Sequence, residues 1–417
     1  MTTTTQDVLR PAPGGIKGWV MAFVVQTVLP RLLSLLQWLP WNRRLGVVFA
    51  TRYDEVREVY LNDRAFRVTY KEKLDVIMGE QPFFLGMDDT EDYRRDTAAM
   101  RKVIRIDDIQ ERLAPAVVRL GREFVDNGEG EIEVVDQLVR RITFDLYQDY
   151  FGIPNPPGED LRVWATRLFE FQFADGGNDP ALGEEVNRIA PALRDYIDQL
   201  IVKRKKEQDK GEDKDDVLGR CIEMQARSEP GFSDLQIRSS LVGFIVGGPP
   251  QPPMVVPQAL EQLLRRPEAL RGAQLAAQRN DDKLLAGYIF EALRFDPLAP
   301  FMPRVATRKT MIAAGTRRAV EVPEGTTVFV AFSSAMMDDR RVSVPKMFDP
   351  NRLSHEYIHF GYGHHQCFGI HMNKALLPLM LKPLLQRKNL RRAPGARGKL
   401  SKRGVFAERL WVQYDSA

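Results

Sequence analysis

Of the two cysteines in the 417-residue chain, Cys367 sits in the stretch best suited to chemistry. It belongs to Phe360-Gly361-Tyr362-Gly363-His364-His365-Gln366-Cys367-Phe368-Gly369, directly before the apolar run from Ile370 to Leu385. The glycines permit backbone angles closed to other residues, so the loop can fold tightly and let a flat macrocycle approach the sulfur. A cysteine at the start of a helix meets free N–H groups and the positive end of the dipole, which favour the thiolate that binds iron. Axial thiolate ligation pushes electron density onto a haem iron and favours O–O cleavage. His365 is a basic side chain two residues before that sulfur. All five histidines, 355, 359, 364, 365 and 371, fall in this region. They do not give two i, i+4 pairs beside a second cysteine, as a zinc site would want. The plain alternative is a buried structural cysteine.

The rest of the chain must position that sulfur. Length alone allows roughly three domains or one large haem-binding fold. A hydrophobic share of 44% supports a large core, and a net charge of +4 is too small to argue for nucleic acid. Two distant cysteines indicate no disulfide framework and point to a reducing, cytoplasmic compartment. The Thr- and Pro-rich residues before Gly14 read as disordered. From Trp19 to Trp41 the only charge is Arg31, and Pro30-Arg31 interrupts the run, so it is too short to span a bilayer. Its tryptophans suit either peripheral membrane contact through 19–41 or packing over the mouth of an apolar cavity.

Further along, a strand at 47–50 and a helix at 54–61 are expected. A helix capped by the Asp and Thr residues at 88–90 runs to about Ile104, and helical spacing from Ile109 to Phe151 breaks at Asn127-Gly128-Glu129-Gly130. The aromatics Trp164, Phe169, Phe171 and Phe173 mark core or a substrate lid. Lys203 to Asp216 alternates charge and reads as an exposed helix end and loop. A strand is expected at 327–331.

Taken together, these motifs resemble the cytochrome P450 superfamily, from about Leu45 to the C-terminus. The loop carries that family's Phe360, Gly361, Gly363, Gly369 and ligand Cys367, with the basic residue at His365, which the resemblance implies donates to a haem propionate. Glu291-Ala292-Leu293-Arg294 with Arg352 matches its Glu-x-x-Arg pair and downstream Arg, a structural triad. Arg304, in Phe301-Met302-Pro303-Arg304, matches a propionate arginine, and Arg94 a second one, with Thr90 at the position of that helix's histidine. The resemblance implies a mainly α fold with small β-sheets, a haem domain over 45–417 with an N-terminal extension over 1–44, and haem b as cofactor.

The central helix departs from the family pattern. Leu241-Val242-Gly243-Phe244-Ile245-Val246-Gly247-Gly248 matches its first half, but Pro250 and Gln251 replace the acid and alcohol that relay protons to bound dioxygen. Proline has no titratable group, and an amide does not ionise. An oxidant already reduced, such as hydrogen peroxide or an organic hydroperoxide, would not need that relay, and Gln251 could orient it by hydrogen bonding. A weaker resemblance, to the hydroperoxide-isomerising half of fungal fatty-acid dioxygenase fusions, points the same way: Gln251 matches their Gln, Gly248 stands at their Asn, and Leu390-Arg391-Arg392-Ala393-Pro394-Gly395 is similar to their C-terminal segment. The alternatives are a dioxygen-dependent monooxygenase served by NAD(P)H, a ferredoxin and its reductase, or a non-catalytic haem sensor. The pocket is expected from segments 81–89, 164–173, 241–251 and 299–302, whose Phe83, Phe84, Phe244, Phe301 and Met302 imply an apolar small-molecule substrate.

Overall fold

The computed structural model describes residues 8–10, 28–39, 43–44 and 46–415. The helices that frame the cysteine are α1 (Leu29–Leu36), α2 (Glu91–Val103), α3 (Arg141–Phe151), α4 (Leu161–Phe169), α5 (Asp234–Gly247), α6 (Pro252–Leu264), α7 (Asp282–Phe295) and α8 (Ile370–Leu385). Small sheets complete a mainly helical fold. The largest sheet runs in the order Arg43–Arg44, Val47–Ala50, Thr327–Val330, Met302–Ala306, Phe66–Val68, with the second and third strands parallel and the other pairs antiparallel.

Local sequence accounts for the helix ends. The Thr90 hydroxyl accepts from Tyr93 N at 3.1 Å and caps α2, whose first turn carries Glu91 and Asp92 and whose last carries Arg101 and Lys102, each favourable toward the helix dipole. Ser233 and Gln236 form a capping box at the start of α5. Helix α3 stops at Gly152, which takes a left-handed φ of 71°. Helix α8 spans the whole expected apolar run, and most of its length is buried in the main core.

The N-terminal expectations need correction. Part of the 19–41 segment lies outside the described residues. Within it, α1 packs through Leu33 and Leu36 on Ala331 and leaves Leu32, Leu35 and Trp38 exposed. Arg318, buried against Glu55, donates to the carbonyls of Leu36 and Leu39 and so fastens the end of α1. Among the described residues no helix is long and apolar enough to cross a membrane. Val8, Leu9 and Arg10 fall in the stretch read as disordered, yet Val8 and Leu9 are buried. The chain gives them partners, as described below.

Under the cysteine loop lies the polar centre of the fold. Glu291 and Arg294, one turn apart on α7, are both fully buried and joined by two hydrogen bonds of 2.7 and 2.8 Å. Arg352 reaches the same carboxylate at 3.1 Å, and Tyr357 Oη and Asp349 N also donate to it. The remaining guanidinium protons go to the carbonyls of Met336, Val344 and Met347. Nearly every polar atom is satisfied, which is the condition for a buried ion cluster to be tolerated. Glu291→Ala would strand two buried guanidiniums, so a loss of about 3–5 kcal/mol of stability is expected, read by denaturant unfolding of the haem-loaded protein. A loss under about 1 kcal/mol would contradict this account of the cluster.

Candidate active site

Cys367 lines a largely apolar cavity. Cys367 N donates to Phe360 O at 3.0 Å, closing the loop on itself, and Ile370 N donates to Cys367 O at 3.2 Å, joining it to α8. Gly363 has φ of +70°, and a side chain there would put Cβ 2.8 Å from Tyr60 O, so only glycine suits the position. Burial pushes the Cys367 thiol above its ordinary value. The Gly369 N–H and the Asn373 amide, 3.7 Å from Sγ, act the other way. Helix-end stabilisation, expected to favour the thiolate, is therefore outweighed by desolvation, and a bound cation is what this sulfur lacks.

One edge of the cavity is cationic. Arg304, 5% exposed, sits on the strand Met302–Ala306 with its guanidinium 4.9 Å from the Tyr60 ring. Its one hydrogen bond to protein is to Pro303 O at 3.0 Å, and among the described residues it has no carboxylate partner. A buried guanidinium without an anion is costly, so an anionic group fits here. His365 lies beside it with Nδ1 3.1 Å from Leu85 O, which also accepts from Tyr70 Oη at 3.1 Å. Burial, then the Arg304 charge, pushes His365 down to about 3. Because Nδ1 is spent on a carbonyl, the neutral ring offers only the lone pair of Nε2. Donation to a propionate, as expected from sequence, requires the imidazolium, which an adjacent carboxylate would favour.

Arg94 is not brought to this edge. Its guanidinium pairs with Asp89 at 2.7 Å on the surface, where the side chain is 58% exposed. The start of α2 at Thr90 sets the two residues on the same outer face, and the nearer carboxylate takes the charge. Thr90 is committed to capping.

The opposite wall is the junction of α5 and α6. Regular helix stops at Gly247 and resumes at Pro252. Prolines at 249, 250, 252 and 253 contribute no N–H, so the ladder cannot continue. Gln251 N turns back to Gly248 O at 3.3 Å, and its side-chain amide donates to Gly247 O, the carbonyl its own backbone would serve in a regular helix. One amide proton of Gln251 thus holds the break together, leaving Oε1 and the second proton for a ligand. Gly248 has no room for a side chain, since a Cβ would fall 2.3 Å from Tyr147 Oη.

Of the expected apolar lining, Phe244 and Met302 line the cavity, joined by Leu85, Phe173 and Ala299. Phe83 and Phe84 are instead core, packed edge-on against Phe244, and Phe301 packs on Phe329 away from the cavity. Tyr60, Tyr70, Tyr147, Phe151 and Asn373 were not expected. Asn373, one and a half turns beyond the cysteine, could have been found from helical spacing. The three tyrosines come from elements whose own patterns read as ordinary core.

One part of the lining is backed by the described N-terminal residues. Leu9 is buried among Phe169, Met254 and Phe406, against Phe173 and Leu298, two residues that also line the cavity. Arg167 donates to Val8 O, Arg403 donates to Arg10 O at 2.7 Å, and Arg10 pairs with Asp179 at 2.6 Å.

Comparison with known proteins fits this geometry. The cytochrome P450 family model matches residues 171–407. The chain belongs to the cytochrome P450 family. Cytochrome P450 107B1 of Saccharopolyspora erythraea is 26% identical over 280 residues, 66% of this chain and 63% of that protein. A bifunctional dioxygenase–epoxy alcohol synthase of Fusarium oxysporum is 26% identical over 398 residues, 87% of this chain and 31% of that one. The chain thus spans less than two thirds of either relative. Among solved structures, P450BioI in complex with an acyl carrier protein ligated to hexadec-9Z-enoic acid superposes with a TM-score of 0.76 at 19% identity, covering 93% of this chain and 98% of that one.

The family carries a haem, and the P450 chain offers it a sulfur short of a cation and a buried arginine short of an anion. Both fit the iron and a propionate. Arg304→Met should therefore weaken haem retention about tenfold or more, read by transfer of haem to a scavenger protein, while apoprotein stability stays level or rises. Retention equal to the parent would remove the assigned role. Deleting residues 1–10 is expected to speed binding of an apolar azole severalfold in stopped-flow absorption, because Leu9 no longer has to leave; an unchanged rate would mean that ligands reach the cavity by another path.

Proposed function

We propose that this P450 takes its oxygen from hydrogen peroxide or an organic hydroperoxide and acts on an apolar, fatty-acid-like substrate, as a peroxygenase or hydroperoxide isomerase. The single observation carrying the reading is the proline-built break at 248–253, where no acid and no alcohol remain to gather protons for dioxygen. Among the described residues, those lining the cavity include no Asp, Glu, Ser or Thr. Bound haem b would supply an iron that breaks an O–O bond with electron density from the thiolate.

The chain's own residues have these roles in the reading. Cys367 would ligate the iron, on a loop shaped by Phe360, Gly361 and Gly369. Arg304 and His365 would hold the propionates. Gln251, pinned by the Gly247 carbonyl, orients the hydroperoxide with its free amide atoms, and Gly248 keeps the wall beside it thin. In this reading residues 45–417 are the haem domain and 1–44 an N-terminal extension, of which the described residues 8–10 and 29–36 pack on that domain. An apolar acyl substrate is supported by Phe244, Leu298 and Met302 in the lining, by the epoxy alcohol synthase name of the fungal relative and by the fatty acyl group in the P450BioI complex.

A second reading, a monooxygenase fed by NAD(P)H through a ferredoxin, rests on a basin of about 1530 Å³ beside the cysteine loop. There the cations Arg57, Lys283, Arg340, Arg341 and Lys374 outnumber the carboxylates Asp54, Asp281 and Asp339, a surface suited to an acidic electron carrier. One experiment separates the readings. The haem-loaded protein is given a fatty-acid hydroperoxide in one tube, and an unsaturated fatty acid with a surrogate ferredoxin, its reductase and NADPH in another. Product in the first alone is expected; product in the second alone overturns the proposal, and product in neither points to a haem sensor. Gln251→Leu should slow hydroperoxide turnover about tenfold with haem retained, the worth of one hydrogen bond.

A further inference from the structure

We propose that Tyr147, on α3, supplies the proton-donating hydroxyl at the broken helix that the helix itself lacks. The inference rests on the hydroperoxide reading and deepens it, since a proton donor there favours heterolytic over homolytic O–O cleavage and so the peroxygenase outcome.

The argument begins with elimination. Among the described residues lining the cavity, the only side-chain hydroxyls are those of Tyr60, Tyr70 and Tyr147, and there is no carboxylic acid. Tyr70 donates to Leu85 O, and Tyr60 lies beside Arg304 at the cationic edge. Tyr147 alone stands at the break, its hydroxyl 2.3 Å from the point where a Cβ on Gly248 would lie. That contact, one turn before Gln251, gives glycine at 248 a physical reason: any side chain would evict the phenol. The ring is held by stacking on Phe151, with centroids 5.0 Å apart and planes 16° from parallel.

The hydroxyl is also uncommitted. No described group lies within hydrogen-bonding distance of Tyr147 Oη, although a buried phenol usually finds a partner. Burial, and then the nearby Cys367 charge, hold the phenol well above its ordinary value, so it remains a neutral O–H donor across the working pH range.

The proton balance closes without an outside acid. In heterolysis of ROOH, the oxygen attached to carbon leaves with both electrons of the O–O bond and needs one proton to become ROH. The outer oxygen sheds one proton as it is retained. Tyr147 Oη gives its proton to the first oxygen and recovers the one shed by the second, so no proton is consumed, the peroxide is reduced and the two oxidising equivalents stay with the haem.

Cumene hydroperoxide reports the split, because heterolysis gives 2-phenyl-2-propanol and homolysis gives acetophenone. The haem-loaded parent should give mainly the alcohol, and Tyr147→Phe, which keeps the stacked ring, should shift the ratio about tenfold toward the ketone. Gly248→Ala, which displaces the hydroxyl without removing it, should shift it in the same direction. The infrared C–O stretch of the reduced, carbon-monoxide-bound protein gives a readout independent of turnover: loss of a donor should raise its frequency in both variants. An unchanged product ratio together with an unchanged stretch overturns the inference. If the parent does not consume the hydroperoxide, the hydroperoxide reading fails and the stretch alone decides whether Tyr147 donates at the site.

Discussion

The whole arrangement depends on one carboxylate. Glu291 binds Arg294 from its own helix and Arg352 from the segment that leads to the cysteine loop, and accepts from Tyr357 and Asp349 besides. Those donors come from two stretches of chain, α7 and residues 349–357, so a single buried anion sets the distance between α7 and the approach to Phe360. Such a cluster yields less stability than an apolar core of equal volume, but it tolerates few alternative geometries. A ligand loop that must hold one sulfur at a fixed height gains more from that uniqueness than from strength.

Charge inside the cavity is distributed by the same economy. The cation of Arg304 sits at one edge, the sulfur of Cys367 faces the middle, and the wall made by α5 and α6 carries no ionisable group. In a medium of low polarity an unpaired charge organises whatever binds near it. A flat molecule with carboxylates on one edge and a cation at its centre matches both unmet needs at once. Orientation of such a molecule therefore follows from electrostatics before any contact with its rim is counted.

Much of this was legible in the sequence, and the parts that were not share a cause. The run Ile370–Leu385 became a helix with those bounds because apolar spacing and the preceding glycines agree. Thr90 was readable as a cap, while the proline cluster after Gly248 was read inside one long helix that the structure splits in two. Arg94 went astray because a motif position says nothing of a competing carboxylate five residues back. Gln251 was readable as a hydrogen-bonding side chain, but not as one that would serve its own helix first. Leu9 and the tyrosines at 60, 70 and 147 were hidden because each draws its meaning from residues distant in sequence, and a polar, proline-rich terminus gives no sign that arginines elsewhere will receive its carbonyls.

The interruption between α5 and α6 has a dynamic consequence. Helices elsewhere open and re-form by trading N–H partners between neighbouring carbonyls, and a guest can straighten or bend them by tipping that exchange. Here four of five successive residues, 249, 250, 252 and 253, have no proton to trade. Nothing that enters the cavity can anneal this stretch into a continuous rod, so its groove is the same for every guest, and discrimination among guests has to come from the more pliant walls around it.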